Sequence, residues 1–384
     1  MKYYIIAGEA SGDLHGSNLM KGLYKQDRHA SIRFWGGSLM NAVYKENEEG
    51  EGLVADYRAG AVMGAVEVLR KGPQLLRRVE RCKADIAAWK PDVVVLIDYP
   101  GFNFKIAKFA HEEGFKVYYY IAPKVWATRE GRIKKLKAWV DKLFIVFPFE
   151  KDYFSSKGVD YVYAGNPLVD AIDGSPALAE SREDFLGRTG LPDHPFIALL
   201  AGSRSMEIRS MMPRFMQFAD LWHAAHPADT LVIAAAPARS MKDYEKYIGS
   251  RDYVKVVFGE TYAALRHAQA AVINSGTASL EAALIGTPQV VTYRMNEVTA
   301  MLIRRFIKVK YVSLGNLILD RYSFRELLQE RFTPKAVFDE VERLVTDEPY
   351  RQRMKADYNE IRRLLGGAGA SDAVAKAMVE NLTL

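Results

Sequence analysis

Cysteine is nearly absent: Cys82 is the single one in 384 residues. That excludes an internal disulfide and any zinc site built on several thiolates, and it points to a reducing compartment. Long apolar runs are missing as well. No stretch reaches the ~18 consecutive apolar residues that would cross a bilayer. The first eight residues are too short an apolar run for a secretory signal and meet acidic Glu9 at once. The seven histidines show neither HxxxH nor HxH spacing, and no Asp-x-Asp pair stands in a strand-end loop, so no metal site is expected. A Gly-x-Ser-x-Gly elbow is missing, which argues against a serine hydrolase. Basic residues are not gathered on an aromatic-rich sheet, so no nucleic-acid partner is expected.

What is present is a folded, mildly basic chain. Lys and Arg number 53 against 47 Asp and Glu, a net charge of +6, which admits an anionic partner without naming one. Short apolar runs at 3–7, 93–97, 116–121, 142–147, 196–200, 230–234, 254–258, 270–273 and 289–292 read as buried strands. Amphipathic stretches at 14–24, 75–89, 102–113 and 207–223 read as helices between them. That alternation predicts right-handed βαβ units and parallel sheets. Pro and Gly between 165 and 195 break the pattern, so the expectation is an α/β chain of two doubly wound domains facing a cleft, with ligands beyond the carboxyl ends of the strands. The tail from 349 reads as helix interrupted at Gly366-Gly367-Ala368-Gly369.

Four strand-to-helix junctions could carry chemistry. The first is Gly8-Glu9-Ala10-Ser11-Gly12-Asp13-Leu14-His15-Gly16. Small residues there expose backbone N–H groups to an anion, and Glu9, Ser11, Gly12, Asp13 and His15 are its candidate ligand contacts. Helix capping by Ser11 or Asp13 explains the same residues. The second is a buried strand ending in Asp98-Tyr99-Pro100-Gly101-Phe102-Asn103. Asp98 is placed to take up a proton, or else to cap the following helix.

The third junction, Gly202-Ser203-Arg204, offers N–H groups and a guanidinium to a phosphate without the Walker A ending. A surface ion pair is the bland use of Arg204. The fourth is Ser275-Gly276-Thr277, with Glu281 one turn into the next helix, where a carboxylate can accept two ribose hydroxyls or merely face the helix dipole. Two phosphate-type loops in one domain suggest a diphosphate carrying a nucleoside.

Apolar residues bracketed by cations form a separate feature. Val62, Met63, Val66, Val68 and Leu69 precede Arg70, Lys71, Arg77 and Arg78, and a similar mixture fills 301–310. Such stretches fit an anionic lipid surface, and equally a core face with a solvated edge.

The four junctions, in this order, together with Ala122-Pro123-Lys124-Val125-Trp126-Ala127, Phe147-Pro148-Phe149-Glu150 and Gly165-Asn166-Pro167, resemble the lipid-A-disaccharide synthases, inverting glycosyltransferases of GT-B architecture. The likeness runs nearly end to end. It implies two Rossmann-like domains, 1–168 with about 350–384 for the acceptor and 169–349 for the UDP-sugar. It implies transfer from UDP-2,3-diacylglucosamine to 2,3-diacylglucosamine 1-phosphate, with UDP as leaving group, Asp98 as base, and Asn316 near the donor. No cofactor is implied. The expected setting is the cytoplasmic face of the inner membrane, on its anionic lipid surface, and a homodimer is left open.

Ala201 and Gly315 stand where the family usually has proline, and 320–324 departs from its pattern. Two other readings remain open at this stage: a soluble UDP-N-acetylglucosamine enzyme of similar fold such as a 2-epimerase, and a non-catalytic nucleotide-binding module.

Overall fold

The computed structural model describes residues 1–60, 72–127, 130–237, 239–295 and 310–383. The chain divides into two compact units, Met1–Ala171 with Leu365–Leu384, and Ile172–Leu364. The first unit holds seven strands: β1 (Lys2–Ala7), β2 (Ser31–Gly36), β3 (Leu53–Asp56), β4 (Val93–Ile97), β5 (Lys116–Tyr120), β6 (Lys142–Ile145) and β7 (Tyr161–Tyr163). Their spatial order is β3-β2-β1-β4-β5-β6-β7, and every pair is parallel. The second unit holds β8 (Phe196–Leu200), β9 (Thr230–Ala235), β10 (Val254–Phe258), β11 (Ala270–Asn274), β12 (Gln289–Tyr293) and β13 (Glu326–Leu328), in the order β10-β9-β8-β11-β12-β13, again all parallel.

The composition of the central strands explains this layering. All five residues of β4 (VVVLI) and all five of β8 (FIALL) are buried, as expected where helices cover both faces of a parallel sheet. All nine strands expected from apolar runs are found, within three residues at their ends. The four that the pattern missed are β2, β3, β7 and β13. β3, β7 and β13 lie at sheet edges and are short, and β2 carries Arg33 in a run whose outward residues are only half-buried.

In each sheet the strand order reverses beside the first strand of the unit. The reversal lies between β1 and β4 in the first unit and between β8 and β11 in the second. Doubly wound sheets bind ligands at that point, beyond the carboxyl ends of the strands. All four junctions singled out in the sequence leave from these four strands.

The chain returns to the first unit later than the expected residue 350. Helix Glu348–Leu365 belongs to the second unit up to Leu364, because its buried face is tied there. The Tyr358 hydroxyl donates to Thr287 O at 3.1 Å and accepts from Gln289 Nε2 at 3.2 Å, and Arg362 pairs with Asp173 at 2.8 Å. The last helix, Ala370–Thr383, then packs on helix Ala10–Gln26, where Gly22 leaves room for Ala375.

Candidate functional site

In the first unit, Ala7 of β1 is in register with Ile97 of β4, so Gly8 and Asp98 leave the sheet side by side. Asp98 and Tyr99 both adopt left-handed backbone angles, φ 41° and 44°. Such conformations cost non-glycine residues free energy and persist only where the surroundings hold them. Here the holding groups are visible. Asp98 N donates to Tyr120 O (3.1 Å), and Asp98 O accepts from the Tyr119 hydroxyl (2.6 Å) and from Asn103 Nδ2 (2.8 Å). Helix Pro100–Glu112 starts after Tyr99, whose own side chain does not cap it. The half-buried carboxylate of Asp98 stands at the reversal point of the sheet.

The Gly8–Gly16 junction divides into structural and accessible residues. Asp13 is buried, and its carboxylate accepts from Gly37 N (2.7 Å), Leu39 N (3.1 Å) and Met40 N (3.1 Å). It therefore caps the neighbouring helix Ser38–Asn47 rather than its own, and it is not a ligand contact. His15 is buried within helix Ala10–Gln26, and burial pushes its pKa down to about 4, so it is neutral at neutral pH and does not line the loop. Gly12 packs its backbone against Ala7. Glu9 and Ser11 remain exposed at the helix start.

The second unit repeats the layout. Leu200 of β8 is in register with Ile273 of β11, which brings Gly202-Ser203-Arg204 and Ser275-Gly276-Thr277 to one reversal point. Gly202 has φ +99°, and a Cβ there would fall 2.4 Å from Glu207 Oε2 and 2.6 Å from Asn274 Nδ2. Only glycine fits.

The expected anion seat is filled by the chain itself. Glu207 Oε2 accepts from Ser203 N (3.0 Å) and Arg204 N (3.1 Å), and its Oε1 accepts from the exposed Arg204 guanidinium (3.2 Å). Sequence reasoning missed Glu207 because a glutamate in the first turn of a helix is commonplace. It also missed Arg239, which follows β9 and fixes the same loop by donating to Ser203 O (2.8 Å) and Ser205 Oγ (2.9 Å). No spacing in the sequence signals that contact.

In the partner loop, Ser275 spends its N–H on Thr292 O (2.8 Å) and its hydroxyl on Val312 O (3.4 Å). Thr277 is the exposed member, at the start of the uncapped helix Ala278–Ile285. Glu281 lies one turn in, half-buried, and accepts from the Tyr262 hydroxyl at 3.3 Å. Burial pushes its carboxyl up to about 7, against which the Tyr262 bond works.

Asn316 is a correction. It is buried, and its amide is consumed internally: Nδ2 donates to Phe324 O (3.0 Å) and Glu326 Oε1 (2.9 Å), while Oδ1 accepts from Ser323 N (2.9 Å). It shapes the 320–324 loop instead of facing a donor. The two departures from the family pattern in this region are coupled. A Cβ at Gly315 would lie 2.8 Å from the Phe324 ring, so glycine at 315 makes room for phenylalanine at 324.

Val62, Met63, Val66, Val68 and Leu69 lie outside the described residues, as does 301–309. Among the described residues no helix is long and apolar enough to cross a membrane, and no group of three metal-type side chains converges.

Comparison with known proteins decides between the readings of this layout. A profile of the family described as "Lipid-A-disaccharide synthetase" matches residues 3–378. The chain belongs to the lipid-A-disaccharide synthetase family. The chain is 35% identical over 379 residues to the lipid-A-disaccharide synthase of Myxococcus xanthus, covering 98% of this chain and 97% of that one. With the lipid-A-disaccharide synthase of Geobacter metallireducens it shares 34% identity over 380 residues, covering 98% and 96%. Among solved structures, the UDP-GlcNAc 2-epimerase of Neisseria meningitidis bound to UDP-GlcNAc superposes with a TM-score of 0.71, covering 99% of this chain and 100% of that one, at 14% identity. That likeness shows the GT-B type of fold, and at such identity the fold alone.

Proposed function

We propose that this chain transfers the 2,3-diacylglucosaminyl group from UDP to the 6-hydroxyl of 2,3-diacylglucosamine 1-phosphate, inverting the anomeric carbon and releasing UDP. Kinship with lipid-A-disaccharide synthases along the whole chain supports the reaction. The observation that carries the mechanism is Asp98: a carboxylate at a strained strand end, beside the first loop of the unit and held in place by its own backbone.

Asp98 accepts the proton of the acceptor hydroxyl as its oxygen attacks the anomeric carbon. The bond from that carbon to the diphosphate breaks, and its electron pair leaves with UDP. The second unit stabilises the departing charge through Arg204 and the 275–277 loop, a role that fixed donors perform well because they need no reorganisation. The diphosphate takes the seat that Glu207 fills in its absence. Glu281 accepts the ribose hydroxyls once it is ionised. The UDP-sugar is a substrate, and the scheme calls on no cofactor.

Both substrates carry acyl chains, so the chain works as a peripheral protein on the anionic inner face of the inner membrane. Support comes from the side chains next to the apolar segment. Leu76, early in helix Gly72–Trp89, is 54% exposed, and Arg77 beside it is exposed too. The test of the reaction is UDP release with acylated and unacylated acceptors. Release only with the acylated acceptor supports it, and release without any acceptor product rejects it.

A further inference from the structure

Two of the sequence motifs play no part in that scheme, yet they meet in the first unit. Strand β5 is followed by Ile121, whose φ of +61° is a strained angle for a β-branched residue, and then by Ala122-Pro123-Lys124-Val125-Trp126. Strand β6 is followed by Val146-Phe147-Pro148-Phe149, and a helix begins at Glu150. Glu150 is 1% exposed and binds the two loops together. Its Oε2 accepts from Val146 N and Phe147 N, each at 3.0 Å, and its Oε1 accepts from Trp126 Nε1 at 3.0 Å.

A buried carboxylate is costly unless it is fully hydrogen-bonded, and burial raises this one to about 7 despite three donors. What that cost secures is the backbone at Val146 and Phe147 and the orientation of one indole. Trp126 meets Phe149 edge-on at 4.9 Å, and Phe149 stacks on Phe147 at 5.4 Å. Trp126 and Phe149 are only half-buried, and Lys124 between the strand end and the indole is exposed. The two loops therefore leave a half-buried indole and an exposed ammonium at the surface.

Their position gives them a use. β5 pairs with β4 in register, Tyr120 opposite Ile97, so Ile121 and Asp98 leave neighbouring strands together. Neighbouring strands lie about 4.8 Å apart, so the loop that carries Lys124 and Trp126 starts beside the one that carries Asp98. We infer that Lys124 and Trp126 form the subsite for the acceptor's phosphorylated sugar, with Trp126 under the apolar face of the ring and Lys124 on the 1-phosphate, and that Glu150 is the positioning residue that holds the indole. This rests on the transfer reading, in which Asp98 faces the hydroxyl of that sugar. An aromatic face under the ring and an ammonium as a point charge on phosphate suit this ligand class.

The experiment has a binding arm and a kinetic arm. Glucosamine 1-phosphate, which lacks acyl chains, is titrated into the full chain while tryptophan emission is followed. Quenching in the wild type that disappears in Trp126→Phe, with Trp35, Trp89, Trp139 and Trp222 unchanged, supports the subsite. In the kinetic arm, Lys124→Ala raises the acceptor KM about tenfold, leaves the donor KM unchanged, and loses its effect on an acceptor without the 1-phosphate. Glu150→Gln raises the acceptor KM with kcat within a few-fold. Should Glu150→Gln fail to fold, exposed Lys124 still carries the test.

Unchanged acceptor KM in both Lys124→Ala and Trp126→Ala, with quenching that persists in Trp126→Phe, overturns the inference. A wild type that shows Trp126 quenching but makes no disaccharide supports the subsite and rejects the transfer reading.

Discussion

Gly8 and the ring of Tyr99 are in close contact: a Cβ built on Gly8 would fall 2.3 Å from the ring carbons. The loop after β1 and the loop after β4 thus fit only because residue 8 has no side chain. Tyr99 follows the proposed base and shares its left-handed backbone. Gly8→Ala must push the ring aside and carry Asp98 with it. The expected outcome is at least a tenfold loss of kcat, with UDP affinity unchanged and a stability loss of about 1–3 kcal/mol from overpacking. Steady-state kinetics beside UDP calorimetry checks this; full activity in the alanine variant would show that the contact does not position the base.

Asp98→Asn keeps the size of the side chain and removes its basicity. Turnover should fall by about 10²–10⁴-fold, the usual contribution of a general base, while UDP binding in the second unit stays intact. Activity within a few-fold of the wild type would reject Asp98 as the base.

Arg204 and Glu207 should act in opposite directions on UDP. Arg204→Ala removes a charged donor to the diphosphate and weakens UDP binding by about 1.5–3 kcal/mol. Glu207→Gln removes the negative charge that competes for the same N–H groups, so UDP should bind about fivefold tighter, a change of roughly 1 kcal/mol. If Glu207 only caps its helix, the variant should bind UDP no better. Because the stabilising charge comes from Arg204 and backbone N–H groups, EDTA should leave turnover unchanged. Loss of activity on chelation, restored by Mg²⁺, would contradict that assignment.

Glu281 carries a pH signature. Its carboxyl is raised to about 7 in the folded chain from 4.5, so the folded state holds the proton more tightly than the unfolded state. Its contribution to stability is complete below pH 4.5 and is lost as pH rises through 7. Glu281→Gln stays neutral throughout. The melting temperature of the wild type relative to Glu281→Gln should therefore fall between pH 5 and pH 8. UDP affinity should rise over the same interval in the wild type only, because the ionised carboxylate accepts both ribose hydroxyls. Parallel pH profiles for the two proteins would remove Glu281 from the nucleotide site.

The sequence revealed where the junctions stand more readily than what each side chain does. Apolar runs marked β1, β4, β8 and β11, because strands covered on both faces must be continuously apolar. The residues ending those runs were therefore legible as a group. Individual roles depend on partners distant in the chain. Asp13 caps a helix that begins at Ser38, and Asn316 holds the 320–324 loop. Neither contact follows from local spacing. The roles of Glu207 and Glu150 were not legible for the same reason: a glutamate near a helix start looks alike whether it fills an anion seat, binds two loops, or points to water.

The central claim is the transfer itself. The most direct measurement mixes the purified chain with UDP-2,3-diacylglucosamine and 2,3-diacylglucosamine 1-phosphate on anionic vesicles and follows the products by mass spectrometry. The account predicts a disaccharide 1-phosphate carrying four acyl chains and an equal amount of UDP, with neither formed by Asp98→Asn. Epimerisation of UDP-N-acetylglucosamine with no disaccharide formed from the acylated pair would contradict it.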